Sequence, residues 1–409
     1  MPMRLMKAFI SLDEALHILL EAARPVTRTE VVGLVEAAGR VLAADVRAEL
    51  DVPPFARAAM DGYAVQAQDS FGAGNFSPVR LRLAEVVHAA DVARQEVTPG
   101  TCIQVATGAP IPRGADAVIQ VEDTELEDGT GEGAVVKVYK PAYPRQNISP
   151  QGEDIRAGRE VLRAGTRLDP SKVGVLAALG LPEVAVVARP SVAIIPSGNE
   201  ILPPGAPLAP GQIFDINSYT LAALVQEHGG LPRLFPVMRD TLEAVRATLT
   251  EALACDLVVL SGGSSVGERD VMVEAVEGLG EVKFHGIAVK PGKPTLCGII
   301  QGKLVLGMPG YPTSCLTNGY GLLVPVLRKM GRLPDARAAA GVELPMARRY
   351  TSTVGRHQYL PVRIEAGEVV PAFKESGAIT SMADAEGYIE IPANVDLVEK
   401  GERVVVKFF

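Results

Sequence analysis

Serines, glycines and acids recur just after short aliphatic runs in the middle of this chain. Leu257–Leu260 stops in Ser261-Gly262-Gly263-Ser264-Ser265 and runs on to Asp270. Ile195 is followed by Pro196-Ser197-Gly198-Asn199-Glu200, and Arg239-Asp240 stands beyond Met238. Val289 leads into Lys290-Pro291-Gly292-Lys293-Pro294, and Leu306 into Gly307-Met308-Pro309-Gly310-Tyr311-Pro312-Thr313-Ser314. Glycine lets backbone N–H groups approach an anion closely, and a helix start beyond it adds partial positive charge. Any one of these loops is an ordinary turn. Together on one rim they indicate a phosphate-binding cleft. The loop after Leu260 lacks G-x-x-x-x-G-K-[ST] and holds no lysine, so it is not a P-loop. Lys290 and Lys293, three apart around a Pro-Gly turn, can supply the positive charge, although lysines at such places are most often solvated.

Glu200, Asp215, Asp240 and Asp270 lie at or near the same rim. Carboxylates beside phosphate commonly share a Mg²⁺ with its oxygens, which removes the repulsion between them. Asp215 and Asp240 serve equally well as helix-cap or turn residues.

The elements that must position these residues alternate. Strands are expected at Val192–Ile195, Leu234–Met238, Leu257–Leu260, Val282–Val289 and Leu304–Leu306. Helices are expected at Ser218–Glu227 (capped by Asn217 or Ser218), Leu242–Ala254, Val271–Gly278 and Thr313–Met330. That order means an α/β domain with a largely parallel sheet, which binds ligands at the carboxyl ends of its strands. Before it, Ser11-Leu12-Asp13-Glu14 is a capping box opening a helix through Ala15, Leu16, Leu19 and Leu20, and a short helix fits Leu34–Leu42. The region from Ser77 to Gly180 reads as all-β, with runs at Val79–Val87, Thr101–Val105, Ala117–Val121 and Ala134–Tyr139. After a linker over Gly331–Ala340, runs at Val354–Ile364, Val369–Ala372, Tyr388–Ile391 and Arg403–Phe408 suggest a small C-terminal β domain. The expected divisions are 1–50, a helical and strand segment; 51–185, β-rich subdomains; 186–332, the α/β domain; and 333–409, the β domain.

A chain of 409 residues exceeds one ordinary core. Its 47% hydrophobic and 22% charged residues mark a globular protein. The net charge of −8 argues against a partner held by phosphate neutralisation along a nucleic acid. Cys102, Cys255, Cys297 and Cys315 form no C-x-x-C pair and sit in apolar runs, so buried free thiols are expected. The five histidines show no ligand spacing. Asp13 and Glu14 interrupt any signal-peptide core, and Gly321–Leu327 is far short of a membrane span, so a cytoplasmic protein is expected.

Val52-Pro53-Pro54-Phe55 with Ala59-Met60-Asp61-Gly62-Tyr63-Ala64 resembles the molybdopterin molybdenumtransferases, the MoeA and gephyrin E-domain family. Ala106-Thr107-Gly108-Ala109-Pro110 running on to Glu122-Asp123 is similar too, as are Gly152-Glu153-Asp154, Gly211-Gln212-Ile213, Ser261-Gly262-Gly263, Lys290 to Pro294, and Gly310. The resemblance spans essentially the whole chain, and many ordered motifs make it specific. It implies a multidomain α/β plus β fold. The central domain would be of the molybdopterin-binding type, the N-terminal subdomains β-rich and the C-terminal domain β-barrel-like. It implies insertion of molybdate into adenylylated molybdopterin, with Mg²⁺-assisted cleavage of the pyrophosphate and release of AMP. It also implies a homodimer whose active site draws Asp61 and Thr107 from the neighbouring chain. The alternatives are a molybdopterin adenylyltransferase, which shares the α/β domain, and a non-catalytic pterin-binding scaffold.

Under the resemblance, Asp61, Thr107, Glu200, Asp240 and Asp270 are the catalytic candidates, with Glu200, Asp240 and Asp270 as metal ligands. Ser197, Gly198, Asp215, Ser261, Gly262, Gly263, Ser264, Ser265, Lys290, Lys293, Pro309 and Gly310 are the substrate-binding candidates. Asp61 and Thr107 rest on the resemblance alone. Five positions depart from the family pattern: Asn199 stands for an aspartate, Ser264 for a valine, Gly286 for a lysine, Tyr311 for an asparagine and Ala58 for a serine. The first removes a carboxylate, and Tyr311 adds bulk at a strand end that faces the ligand.

Overall fold

A computed structural model describes residues 9–88, 90–129, 131–262, 271–335 and 341–409. The chain forms two compact units, one from the residues up to Ala43 with Ala185–Phe409, the other Ala44–Val184.

Successive side chains on a strand point to opposite faces, and in the central strands of the first unit both sets are apolar. Val192, Ile194, Leu257, Val259, Leu304 and Leu306 pack on one face with the helices Leu12–Ala22 and Asn217–Glu227 and the helical segment beginning at Pro312. Ala193, Ile195, Val258, Leu260 and Val305 pack on the other with the helices Leu242–Ala252 and Val271–Leu279. Burying each larger side chain contributes about 1.5–3 kcal/mol, which is why these strands read as unbroken aliphatic runs. The strand order is Leu231–Leu234, Ser191–Pro196, Leu257–Ser261, Lys303–Met308, Leu296–Ile300, Glu281–His285. The first four are mutually parallel, and Leu296–Ile300 is antiparallel to both its neighbours. From Ser191–Pro196 the chain crosses first to one side and then, with Leu257–Ser261, to the other. The crevice at the carboxyl ends of these two strands is the topological switch point.

Several sequence expectations change here. Leu296–Ile300 is a further strand, one not among those expected from the sequence. Val282–Val289 splits at Gly286, whose φ is +101°, into Glu281–His285 and Val289–Lys290. The second piece joins the C-terminal sheet by parallel pairing with His357–Glu365. The strand expected at Leu234–Met238 is Leu231–Leu234, and Met238 makes only an isolated bridge to Ser197. The helix at Leu34 stops at Ala37, with Gly39 turning at φ +77°. The long helix is interrupted by a π-helical turn, Gly319–Leu323. Pro325 has no N–H for the Gly321 carbonyl and its ring crowds that oxygen, so the wider turn is the accommodation. Ser11 caps its helix as expected: Glu14 N–H donates to Ser11 Oγ at 3.1 Å. The C-terminal sheet also takes in Gly387–Ile391, Arg403–Phe408 and Val342–Pro345, around a core that includes Leu360, Val362, Ile389 and Val406.

The second unit is built on a six-stranded sheet ordered Ala117–Gln120, Gly62–Val65, Thr101–Val105, Val79–Val87, Val135–Val138, Thr124–Asp128. Tyr63, Val65 and Cys102 fill one face, and Ala64, Ile103 and Val118 the other. The region is not wholly β. The helix Pro170–Ala178 starts where Asp169 accepts from Lys172 N–H at 3.1 Å, an Asp-Pro start that is itself a sequence signal. The four cysteines are buried and unpaired, as expected, and burial pushes the Cys102 and Cys297 thiols up to about 12. No described helix is long and apolar enough to cross a membrane.

Candidate active site

A cavity of about 360 Å³ opens at the switch point. Register brings Pro196, Ser261 and Met308 level at the ends of adjacent strands. The loops beyond are tied together by Ser197 N–H to the Ser261 carbonyl at 2.9 Å and Gly262 N–H to the Met308 carbonyl at 3.3 Å. Gly262 has φ +89°, and a Cβ there would stand 2.4 Å from the Ser197 carbonyl oxygen, so only glycine permits this approach. Ser197, Glu200, Asp215, Ser261, Gly262, Pro309 and Gly310 all line the cavity. Gly198 sits within this loop at φ +145°.

Asp215 has a second duty. Its Oδ1 accepts from Ser218 N–H at 3.0 Å and so caps the helix Asn217–Glu227, the helix-cap role the sequence left open to it beside Asn217 and Ser218. Asn217 instead lines the cavity and donates its Nδ2–H to the Gly310 carbonyl at 2.8 Å. Ser197 Oγ, Asn217 Oδ1 and Ser218 Oγ are buried and have no hydrogen-bond partner among the described residues. Each such group costs about 1–3 kcal/mol, a cost that a ligand can offset. Glu200 is exposed on the cavity wall, and its carboxylate makes no hydrogen bond or ion pair among the described residues. Asp240 stands two residues beyond Met238, whose N–H donates to the Pro196 carbonyl at 2.8 Å. It too is exposed and unpaired among the described residues, but it does not line the cavity. Gly263, Ser264, Ser265 and Asp270 lie outside the described residues. Among the described residues no three His, Cys, Asp or Glu are grouped as a metal site.

The two lysines are engaged elsewhere. Lys290 Nζ donates to Thr353 Oγ1 at 2.8 Å, and Lys293 Nζ sits 4.1 Å from the centroid of the Phe9 ring. Neither lines the cavity, so the expected pair of inward ammonium groups is not formed in this conformation. The turn between them is held by Asn318, whose Nδ2–H reaches the Gly292 carbonyl at 2.9 Å and Thr295 Oγ1 at 2.8 Å.

In the second unit the fold brings Asp61 and Thr107 together across 46 positions of sequence. Thr107 N–H and its hydroxyl both donate to Asp61 Oδ1, at 2.6 and 2.8 Å. The Thr107 backbone N–H, then its hydroxyl, hold the Asp61 carboxyl below the usual range. Both residues are exposed. The Thr107 loop is stitched to its neighbour by Ala58 N–H to the Ala109 carbonyl at 2.9 Å and Gly108 N–H to the Ala58 carbonyl at 2.8 Å. A charged, oriented carboxylate at the surface is suited to act on a ligand or a second molecule.

Sequence reasoning missed the apolar walls. Ile201 and Leu202 pair with Ile213 and Phe214 in a short parallel ribbon, and Ile201, Ile213, Phe214 and Ile216 line the cavity with Tyr311. The available signal was a run of large apolar residues beside glycine and proline, with no helical or strand period to bury it.

Family profiles cover most of the chain: the MoeA N-terminal region (domain I and II) over residues 10–180, the family described as "Probable molybdopterin binding domain" over 193–329, and the MoeA C-terminal region (domain IV) over 343–409. Molybdopterin molybdenumtransferase 2 of Mycobacterium tuberculosis is 35% identical, covering 95% of this chain and 96% of its own. The molybdopterin molybdenumtransferase of Bacillus subtilis is 32% identical over 92% of this chain and 89% of its own. The crystal structure of the molybdopterin biosynthesis MoeA protein from Pyrococcus horikoshii OT3 superposes with a TM-score of 0.83 at 35% identity, covering 98% of this chain and all of that one (100%). A switch-point cavity in a molybdopterin-binding α/β domain, flanked in sequence by both MoeA-specific regions, therefore places this chain in the MoeA family of molybdopterin molybdenumtransferases.

Proposed function

We propose that this chain inserts molybdate into adenylylated molybdopterin, releasing AMP, as a cytoplasmic step of molybdenum cofactor biosynthesis. The observation that carries this reading is the switch-point cavity. It has glycine-lined strand ends for phosphate, unpartnered polar atoms on Ser197 and Asn217, and apolar walls for a ring system. Matches to both the N-terminal and C-terminal MoeA regions favour insertion over the adenylylating reaction, which needs only the α/β domain.

The backbone around Gly262 and the start of the helix at Pro312 would orient the pyrophosphate. Ser197 and Ser261 would donate to its oxygens. Positioning of this kind supplies most of the catalysis when a phosphoanhydride opens. Glu200 and Asp240 have no hydrogen-bond or ion-pair partner among the described residues and carry the oxygen donors that a hard cation takes, with Glu200 on the cavity wall and Asp240 outside it. With Asp270 they would hold Mg²⁺, which would neutralise charge on the phosphate oxygens. Two copies of the chain would form the working enzyme, the Asp61–Thr107 pair of one serving the cavity of the other.

The test is AMP release from adenylylated molybdopterin by purified protein, with and without molybdate. Molybdate-dependent AMP release is expected. Adenylylation of free molybdopterin by ATP, with the adenylylated form left intact, would reject the proposal.

A further inference from the structure

We infer that Tyr311 is a stacking residue, whose ring covers a planar nitrogen heterocycle in the switch-point cavity. This inference rests on the reading of that cavity as a nucleotide and pterin site. Tyr311 lines the cavity yet is 67% exposed, an arrangement in which a large aromatic has given up most of its own burial. It is not loosely placed. Prolines at 309 and 312 bracket its turn. The next residue but one, Thr313, donates its N–H to the Ser376 carbonyl at 3.0 Å and its hydroxyl to the Ala378 carbonyl at 2.8 Å. Between those anchors lies Gly377, where even a Cβ would stand only 3.8 Å from Tyr311 Cδ1. The backbone that carries the ring is thus anchored, and the ring itself stands open to the cavity beside Gly377.

The same cavity offers Phe214, 39% exposed, and Ile216 as further apolar surface. Its polar atoms have a defined sense. Asn217 donates Nδ2–H to the Gly310 carbonyl at 2.8 Å, which fixes the amide and leaves Oδ1 as an acceptor without a partner among the described residues. An acceptor beside apolar walls suits a ring with a π face and N–H groups on its edge. A phosphate or molybdate ion has no such face. Adenine and a pterin both have this chemistry.

Calorimetric titration of wild type, Tyr311→Ala and Tyr311→Phe with AMP, ribose 5-phosphate and a free pterin separates the possibilities. Tyr311→Ala should weaken the ring-bearing ligand by roughly five- to 150-fold, the range for losing one stacked base, while Tyr311→Phe stays near wild type. Ribose 5-phosphate should bind all three proteins alike. Loss for AMP identifies adenine as the stacked ring, and loss for the pterin identifies that ring. Unchanged affinity of Tyr311→Ala for both ring-bearing ligands overturns the inference, as does an equal loss for ribose 5-phosphate. If wild type binds none of the three, the reading of the cavity itself fails, and this inference with it.

Discussion

Asp61 and Thr107 are the pair for which the fold adds most at the scale of single residues. Nothing in their spacing links them, yet one carboxylate oxygen accepts both donors of Thr107. Asp61→Asn keeps the shape and removes the charge. Turnover should fall by about 10²-fold or more, with little change in thermal stability because both side chains are exposed. Single-turnover AMP release and a melting curve check the two halves of that statement. Glu200→Gln should behave similarly in AMP release and should raise the Mg²⁺ concentration needed for half-maximal rate. An unchanged Mg²⁺ requirement would remove Glu200 from the metal site. The lysines show the limit of reading charge from sequence. Lys290 and Lys293 look aimed at an anion, but a threonine hydroxyl and an aromatic ring hold them.

At the scale of elements, the strand ends carry the site and the opposite ends carry stability. Gly262 is the tightest point of the rim, since any Cβ would press on the Ser197 carbonyl. Gly262→Ala must shift one of the two loops, at a cost of about 1–3 kcal/mol, and should lower ligand affinity with it. Urea unfolding and AMP binding measure both. At the start of the same strands, Asp256 accepts from both terminal nitrogens of Arg28 at 2.7 and 2.8 Å and from Ser191 N–H and hydroxyl, each at 2.8 Å. Burial pushes the Asp256 carboxyl up, but these donors outweigh it and hold it at about 2. A carboxyl lowered on folding stabilises fully above its unfolded value of about 4 and loses that contribution as pH falls from there toward 2. Asp256→Asn should therefore cost about 1–2 kcal/mol at pH 7, allowing for screening around the half-exposed Arg28, and about half as much at pH 3. Turnover per folded molecule should be unaffected.

At the scale of the whole molecule, the proposal that two copies share sites predicts complementation. Asp61→Asn and Glu200→Gln chains, each inactive alone, should regain turnover when unfolded together and refolded as a mixture, because one site of a mixed pair is intact. Inactivity of the mixture, with mixed pairs demonstrated by differential tags, would place both residues in one chain's site.

Composition, periodicity and ordered motifs were enough to identify the α/β and β regions, the buried thiols, the family and a rim at the ends of the central strands. These features depend on local propensity and on which faces must leave water, and both are written residue by residue. Tertiary structure decided the rest. It inserted Leu296–Ile300 antiparallel, split Val282–Val289 at Gly286, and put a π turn before Pro325. It chose Asp215 among the three candidate caps and placed Asn217 on the cavity wall. It also drew Ile201, Phe214 and Tyr311 around one space and joined Asp61 to Thr107. The antiparallel insertion, the cavity walls and the Asp61–Thr107 pair depend on contacts between residues far apart in the chain, whose geometry exists only once the strands are in register. The cap, the π turn and the break at Gly286 are local choices of backbone path among those the sequence allowed.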